Sequence, residues 1–243
     1  MKLEGHTVLV TGGATGIGFG IAELFAAAGS TVIISGRRQE ALDSAREKLP
    51  GLVTASFDLS RGEERERLAK WLTEKHPALD VLVNNAGIQQ RIDVHDAGFW
   101  TLTRQELAIN LEAPIHLSHL LLPILSRNKG SCIINVSSGL AFVPLSRAPV
   151  YCATKAAIHS FTQSLRWQVK RDGVEVIEII PPAVNTDLGG VGLHSRDTPV
   201  DEFIAAVKEQ LAAGKLEITH GFSGKTSQGS RQELDATFQR MNG

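Results

Sequence analysis

A chain of 243 residues with 42% apolar and 21% charged residues has the composition of an ordinary globular protein and is long enough to bury a substantial core. Its formal net charge of −1 gives no basis for binding nucleic acid or an anionic membrane surface. The two cysteines, Cys132 and Cys152, have no spacing that suggests a disulfide framework or a zinc site, and His116 and His119 share a helix face with no third ligand in view, so no metal is expected.

The N-terminal stretch MKLEGHTVLVTGG lacks an apolar run followed by a cleavage site and does not read as a signal peptide. The longest apolar stretch, residues 113–125, is broken by two histidines and a proline and reads as too short and polar to span a bilayer. A reducing, cytoplasmic setting is the expectation that follows.

Residues 8–10 form a short buried strand that runs into Thr11-Gly12-Gly13-Ala14-Thr15-Gly16-Ile17-Gly18 and then a helical pattern stopped by Gly29. Strand, glycine turn and helix in that order are what a dinucleotide site requires. Gly12 permits the tight turn, Gly16 lets the backbone approach a pyrophosphate, and Gly18 lets the helix pack closely. The helix N-terminus offers unpaired N–H groups to the anion, with Thr15 and Ile17 in the same cradle. The G-K-[ST] ending of a nucleotide triphosphatase loop is missing.

A second strand, residues 31–35, ends in Gly36-Arg37-Arg38, where an NAD site carries a carboxylate for the ribose 2′-hydroxyl. Two arginines opening a helix oppose its dipole, a mismatch that a 2′-phosphate resolves, so NADP (NADPH) is favoured over NAD. Strand three, residues 52–57, ends in Asp58, where a carboxylate could meet the adenine amino group. After a helix through Leu68, Trp71 and Leu72, strand four, residues 80–83, ends in Asn84-Asn85-Ala86-Gly87, a backbone to be pinned yet closely approached.

Residues 88–100 are expected to form a loop beside the site, followed by a long helix over 103–126. Asn110 is poorly suited to a helix interior, so it is either an amide at a kink or a functional group. Pro114, four residues on, would free the Asn110 carbonyl, which could then hold a water. Strand five, residues 132–136, ends at Ser137-Ser138.

Pro149 suits the first turn of the next helix, where Tyr151 and Lys155 stand one turn apart on one face. A phenol with a pKa of about 10 is a poor proton donor or acceptor at neutral pH. An ammonium at roughly 4 Å could lower it by some three units at an effective dielectric of about 20. A strand end and a short loop can bring Ser138 to that phenol. Strand six, residues 174–180, ends in Pro181-Pro182-Ala183-Val184-Asn185-Thr186. Residues 187–200 read as a mobile lid, a helix and a last strand follow, and a polar tail begins near 221 with a short helix over 232–241. No repeat or linker divides the chain, so one domain is expected, an α/β doubly wound parallel sheet of Rossmann type.

The set closely resembles the short-chain dehydrogenase/reductase family: T-G-x-x-x-G-I-G at 11–18, N-N-A-G at 84–87, a helical Asn110, Ser138 and Y-x-x-x-K at 151–155. GIQQR and IPPAVNTDL look like its bacterial DltE-like subgroup. The resemblance implies Tyr151 as proton donor or acceptor, and Lys155 lowering its pKa and bonding the nicotinamide ribose. It further implies Ser138 holding the substrate oxygen, Asn110 holding a water, and Val184 and Thr186 contacting the carboxamide. Pro181-Pro182 replaces the family's usual Pro-Gly.

The implied activity is NADP(H)-dependent interconversion of a ketone or aldehyde and an alcohol. An idle NADP-binding regulator or scaffold is the alternative, and dehydration or epimerisation a third option. A medium-sized, partly polar substrate pocket is expected from the 88–100 loop, Gly139, Leu140, Phe142, Val143 and the lid, with Arg91 and His194. The family commonly forms homodimers or homotetramers, which Ala153 and Ala157 would accommodate.

Overall fold

The computed structural model describes residues 1–243. Seven parallel strands, β1 (Thr7–Thr11), β2 (Thr31–Gly36), β3 (Val53–Ser56), β4 (Val81–Asn84), β5 (Cys132–Val136), β6 (Glu175–Ile180) and β7 (Glu217–Thr219), form one sheet in the order β3-β2-β1-β4-β5-β6-β7. Parallel strands need crossover helices, which cover both faces. The central strands are therefore almost wholly apolar, and alternate residues serve two cores. Val8 and Val10 pack with Val32, Ile34, Val81 and Val83 on one face, and Leu9 packs with Ile33, Leu82 and Ile133 on the other.

The first face is closed by α1 (Gly16–Ala27), α2 (Gln39–Lys48) and α7 (Val200–Ala212), which contribute Phe25, Leu42 and Phe203. The second is closed by α3 (Gly62–Lys75), α5 (Ala113–Leu125) and α6 (Pro149–Gln168), through Leu68, Leu117 and Leu165.

The long helix begins earlier than its periodicity suggests, at α4 (Phe99–Leu107), and is not uniformly α-helical. Residues Ala108–Glu112 form a π segment, closed by the Ala113 N–H donating to the Ala108 carbonyl five residues back, and α5 follows directly. Asn110 thus sits in a widened turn, and π segments frequently mark functional sites. The whole span Phe99–Leu125 is long and apolar enough, by length and composition, to cross a membrane, which the sequence stretch 113–125 alone did not suggest. Here Leu117, Leu121, Ile124 and Leu125 are buried against the sheet and α3, so it is a core helix.

The tail holds more structure than its polarity indicates: α8 (Phe222–Thr226) and α9 (Arg231–Asn242), the latter opened by a Ser230–Glu233 capping box. It folds back, because Asn242 donates to the Pro144 carbonyl at 3.1 Å and accepts from the Ser146 N–H at 2.6 Å.

Candidate active site

The strand order reverses between β1 and β4, and in such sheets ligands bind in the crevice outside the strands' carboxyl ends at that switch point. A cavity of about 1140 Å³ lies there, running from the glycine turn to the N-terminal turns of α6.

At one end, Gly12 and Gly16 have positive φ, of 62° and 55°. A Cβ on Gly18 would lie 2.4 Å from both the Asn85 amide nitrogen and the Gly12 carbonyl oxygen, which explains the need for glycine where the helix meets the turn. The turn is tied to β4. Thr11 Oγ1 accepts from the N–H groups of Asn85 and Ala86, each at 3.0 Å, and Asn85 Nδ2 donates to the Thr11 and Gly12 carbonyls. Thr15, Gly16, Ile17 and Gly18 line the cavity, with the first N–H groups of α1 as anion donors.

A side recess holds Arg37, Arg38 and Asp58. Both arginines are exposed and make no ion pair. One oxygen of Asp58 is occupied by Ser60, accepting from its N–H and its hydroxyl. The glycine cradle, the helix N-terminus and the arginine recess form one continuous set of donors that fits a phosphorylated dinucleotide.

At the other end three side chains distant in the sequence meet, with Asn110 behind them. Tyr151, Lys155 and Ser138 are buried and line the cavity, and the Ser138 hydroxyl accepts from the Leu140 N–H at 3.1 Å. Lys155 Nζ donates to the Val136 carbonyl at 2.8 Å, which fixes the ammonium at the end of β5. Asn110 clamps Ile88 from both sides, donating to its carbonyl at 2.7 Å and accepting from its N–H at 2.9 Å. A Cβ on Gly87 would lie 3.4 Å from Asn110 Oδ1 and 3.8 Å from Lys155 Nζ, so the glycine is the small residue between them.

The charge balance differs from the simple pairing expected. The ammonium is 5.6 Å from the centre of the Tyr151 ring. Burial raises the phenol's pKa above its ordinary value, Cys152 and Glu106 add to the rise, and only the neighbouring Ser138 hydroxyl opposes it. Lys155 is itself pushed down to about 8 by burial, against the pull of Glu178 and Glu106. Removing both groups from water outweighs their mutual effect, so Tyr151 is held as a protonated acid.

Val184 and Thr186 line the cavity beneath residues 187–200. Val184 is paired to Thr198, and the Thr186 methyl stands 3.0 Å from where a Gly16 Cβ would project. Pro181 accepts from the Gly139 N–H at 2.9 Å, whereas Pro182 has no N–H to offer. The expected substrate wall needs correction. Gly139, Leu140, Arg91 and His194 line the cavity, but Phe142 turns away to pack edge-on against His159 and Val143 is buried behind it. Phe222 and Met241 from the tail take that place.

Two buried carboxyls escaped the sequence reading. Glu178 accepts from the Ser137 hydroxyl and pairs with His159 at 2.9 Å, which raises the imidazole's pKa. Glu106 lies on α4. Neither belongs to a motif, and only the sheet and helix packing shows that they lie inside.

Residues 6–193 match the family model described as short chain dehydrogenase. The chain belongs to the short-chain dehydrogenase/reductase family. It falls in the DltE-like group: it is 40% identical to the uncharacterized oxidoreductase DltE of Bacillus subtilis, covering 100% of this chain and 98% of that one. An uncharacterized oxidoreductase of Staphylococcus saprophyticus is 30% identical, over 78% of this chain and 83% of its own. Among solved structures, a short chain dehydrogenase from Burkholderia cenocepacia in complex with NADP superposes with a TM-score of 0.83 at 28% identity, covering 98% of this chain and 99% of that one. A short-chain dehydrogenase from Streptomyces avermitilis gives 0.84 at 26% identity, covering 98% and 96%. Family membership makes the chain an oxidoreductase that uses a nicotinamide cofactor.

Proposed function

We propose that this short-chain dehydrogenase/reductase is an NADP(H)-dependent carbonyl reductase that uses Tyr151 as its general acid. The observation that carries the proposal is the convergence of Ser138, Tyr151 and Lys155 at one end of a cavity whose other end is a glycine turn beside two unpaired arginines. Arg37 and Arg38 hold the 2′-phosphate, with no carboxylate at the end of β2 to repel it. The NADP complex of the Burkholderia relative supports the same choice. The glycine cradle takes the pyrophosphate, Asp58 meets the adenine edge, Asn85, Ala86 and Gly87 line the floor, and Val184 and Thr186 meet the carboxamide.

When bound, the dihydronicotinamide supplies a hydride to the carbonyl carbon. Ser138 holds the carbonyl oxygen by its hydroxyl. Tyr151 gives its phenolic proton to that oxygen as negative charge develops there, so the product is the alcohol and the residue is left as phenolate. The Lys155 ammonium stabilises that phenolate and bonds the ribose, and Asn110 holds the water through which the proton is replaced. A phenol kept protonated by burial is prepared for reduction, the direction that consumes its proton.

Residues 187–200 act as the substrate lid, with α9 as the outer wall. The two cysteines are free and buried, in keeping with a reducing cytoplasm. Trp100 and Trp167 are 63% and 78% exposed, on α4 and α6, and suit burial in a homodimer or homotetramer.

The test is NADPH absorbance decay across a panel of ketones and aldehydes, repeated with NADH. Turnover with NADPH on some members, and weaker turnover with NADH, is expected. Tight NADPH binding with no turnover across a broad panel would show an idle scaffold instead.

A further inference from the structure

Glu106 is 0% exposed, and nothing in the mechanism above uses it. Its Oε1 accepts from the Gln90 N–H at 3.0 Å, and its Oε2 is buried with no partner. Thr103 Oγ1, one helical turn earlier, is likewise buried and unpaired. Buried polar atoms are nearly always satisfied, and a carboxyl left with an empty oxygen inside a protein marks a strained or functional place.

The site of this carboxyl is specific. Asn110 holds Ile88, and four residues earlier on the same helical run Glu106 holds Gln90, two residues further along the loop. Gln90 also returns a bond, its Nε2 donating to the Leu102 carbonyl at 3.0 Å. The segment between β4 and α4 is therefore clamped at two points, next to Gln89 and Arg91 in the cavity wall. Across from α4 lies α6, whose titratable groups in range of Glu106 are Tyr151, Cys152 and Lys155. Glu178, on β6, also acts on Lys155. On the clamped loop and on the helix itself, the neighbouring Arg91 and Arg104 are exposed.

We propose that Glu106 is a positioning residue of the catalytic pair: it fixes the substrate loop through Gln90, and its charge, when present, keeps the proton on both Tyr151 and Lys155. A carboxylate near a phenol disfavours the phenolate, and near an ammonium it favours the ammonium, so both influences act in the same direction. Burial lifts the Glu106 carboxyl to about 7, against the Gln90 hydrogen bond and the Lys155 charge. The carboxyl consequently ionises as the medium turns alkaline, which is when the acid most needs help to keep its proton. Glu106 extends reduction to higher pH, and this role rests on the proposed use of Tyr151 as the acid.

Glu106→Gln keeps an oxygen for the Gln90 N–H and removes the charge, whereas Glu106→Ala removes both. In pH profiles of NADPH-dependent ketone reduction, the alkaline limb of kcat for Glu106→Gln is expected to move down by on the order of one pH unit, with near-wild-type kcat at pH 6. Glu106→Ala should add a several-fold rise in KM. A purely structural role would change KM and leave the limb in place, and superimposable limbs for wild type and Glu106→Gln would overturn the proposal.

A second measurement needs no substrate. The infrared band of the protonated carboxyl, isolated as wild type minus Glu106→Gln, should titrate near pH 7 and at higher pH in a Lys155→Met background. A midpoint in the ordinary carboxylate range, or one indifferent to Lys155, would also overturn it. A protein that reduces no carbonyl yet shows the coupled band would refute the assigned reaction and leave the Glu106–Lys155 linkage intact.

Discussion

Replacing Arg37 and Arg38 together by alanine is expected to weaken NADPH binding about 100-fold while changing NADH binding by less than about threefold. Each guanidinium facing a phosphate makes charge-assisted hydrogen bonds worth roughly 1.5–3 kcal/mol, and both side chains are exposed, which puts the pair at the lower end of the summed range. Fluorescence titration of the two cofactors against wild type and variant measures the difference directly. Equal losses for NADPH and NADH would mean that the arginines do not contact the 2′-phosphate.

Lys155→Met is expected to abolish turnover and at the same time to raise the melting temperature at pH 7. Lys155 is 5% exposed, and its pKa falls from an ordinary 10.5 to about 8. Between those values the unfolded chain binds more protons than the folded one, so this group's contribution to stability rises with pH across the window. Below about pH 8 the full burial penalty is present, roughly 3 kcal/mol at its upper limit. Methionine fills the space without the charge but leaves the Val136 carbonyl unpaired, which costs about 1 kcal/mol. A net gain on the order of 1–2 kcal/mol should appear as a rise of a few degrees. Such a trade of stability for activity is expected of a residue retained for chemistry. A fall in melting temperature at pH 7, together with retained turnover, would assign Lys155 to structure.

Much of the fold was legible because the controlling signals are local. The apolar runs at 31–35, 80–83 and 132–136 give strands, and the first helix stops just before Gly29 as its sequence indicates. The glycine turn and the Tyr151–Lys155 spacing likewise carry their geometry within a few residues. The π segment around Asn110 was legible only as a misfit, since widening of a helical turn depends on what packs against it. The inward placement of Glu106 and Glu178 follows from the register of α4 on α6 and of β6 beside β5, which no local pattern encodes. Phe222 and Met241 reach the cavity because the tail folds back over Pro144 and Ser146, a long-range event that its polar composition hides. The direction of the Tyr151 shift is not legible from the spacing for a related reason. The ammonium's influence is local, whereas the loss of water around both groups is a property of the assembled interior.

The most direct measurement is single-turnover reduction of an accepted ketone by NADPH in wild type and Tyr151→Phe, with cofactor affinity measured on the same samples. The phenol is the only tyrosine in the chain, and the substitution removes one oxygen from a site that is otherwise unchanged. The account predicts NADPH binding within a few-fold of wild type and a rate of hydride transfer lower by about 10²–10⁴, the usual contribution of a positioned general acid. A Tyr151→Phe enzyme that transfers hydride at the wild-type rate would contradict it.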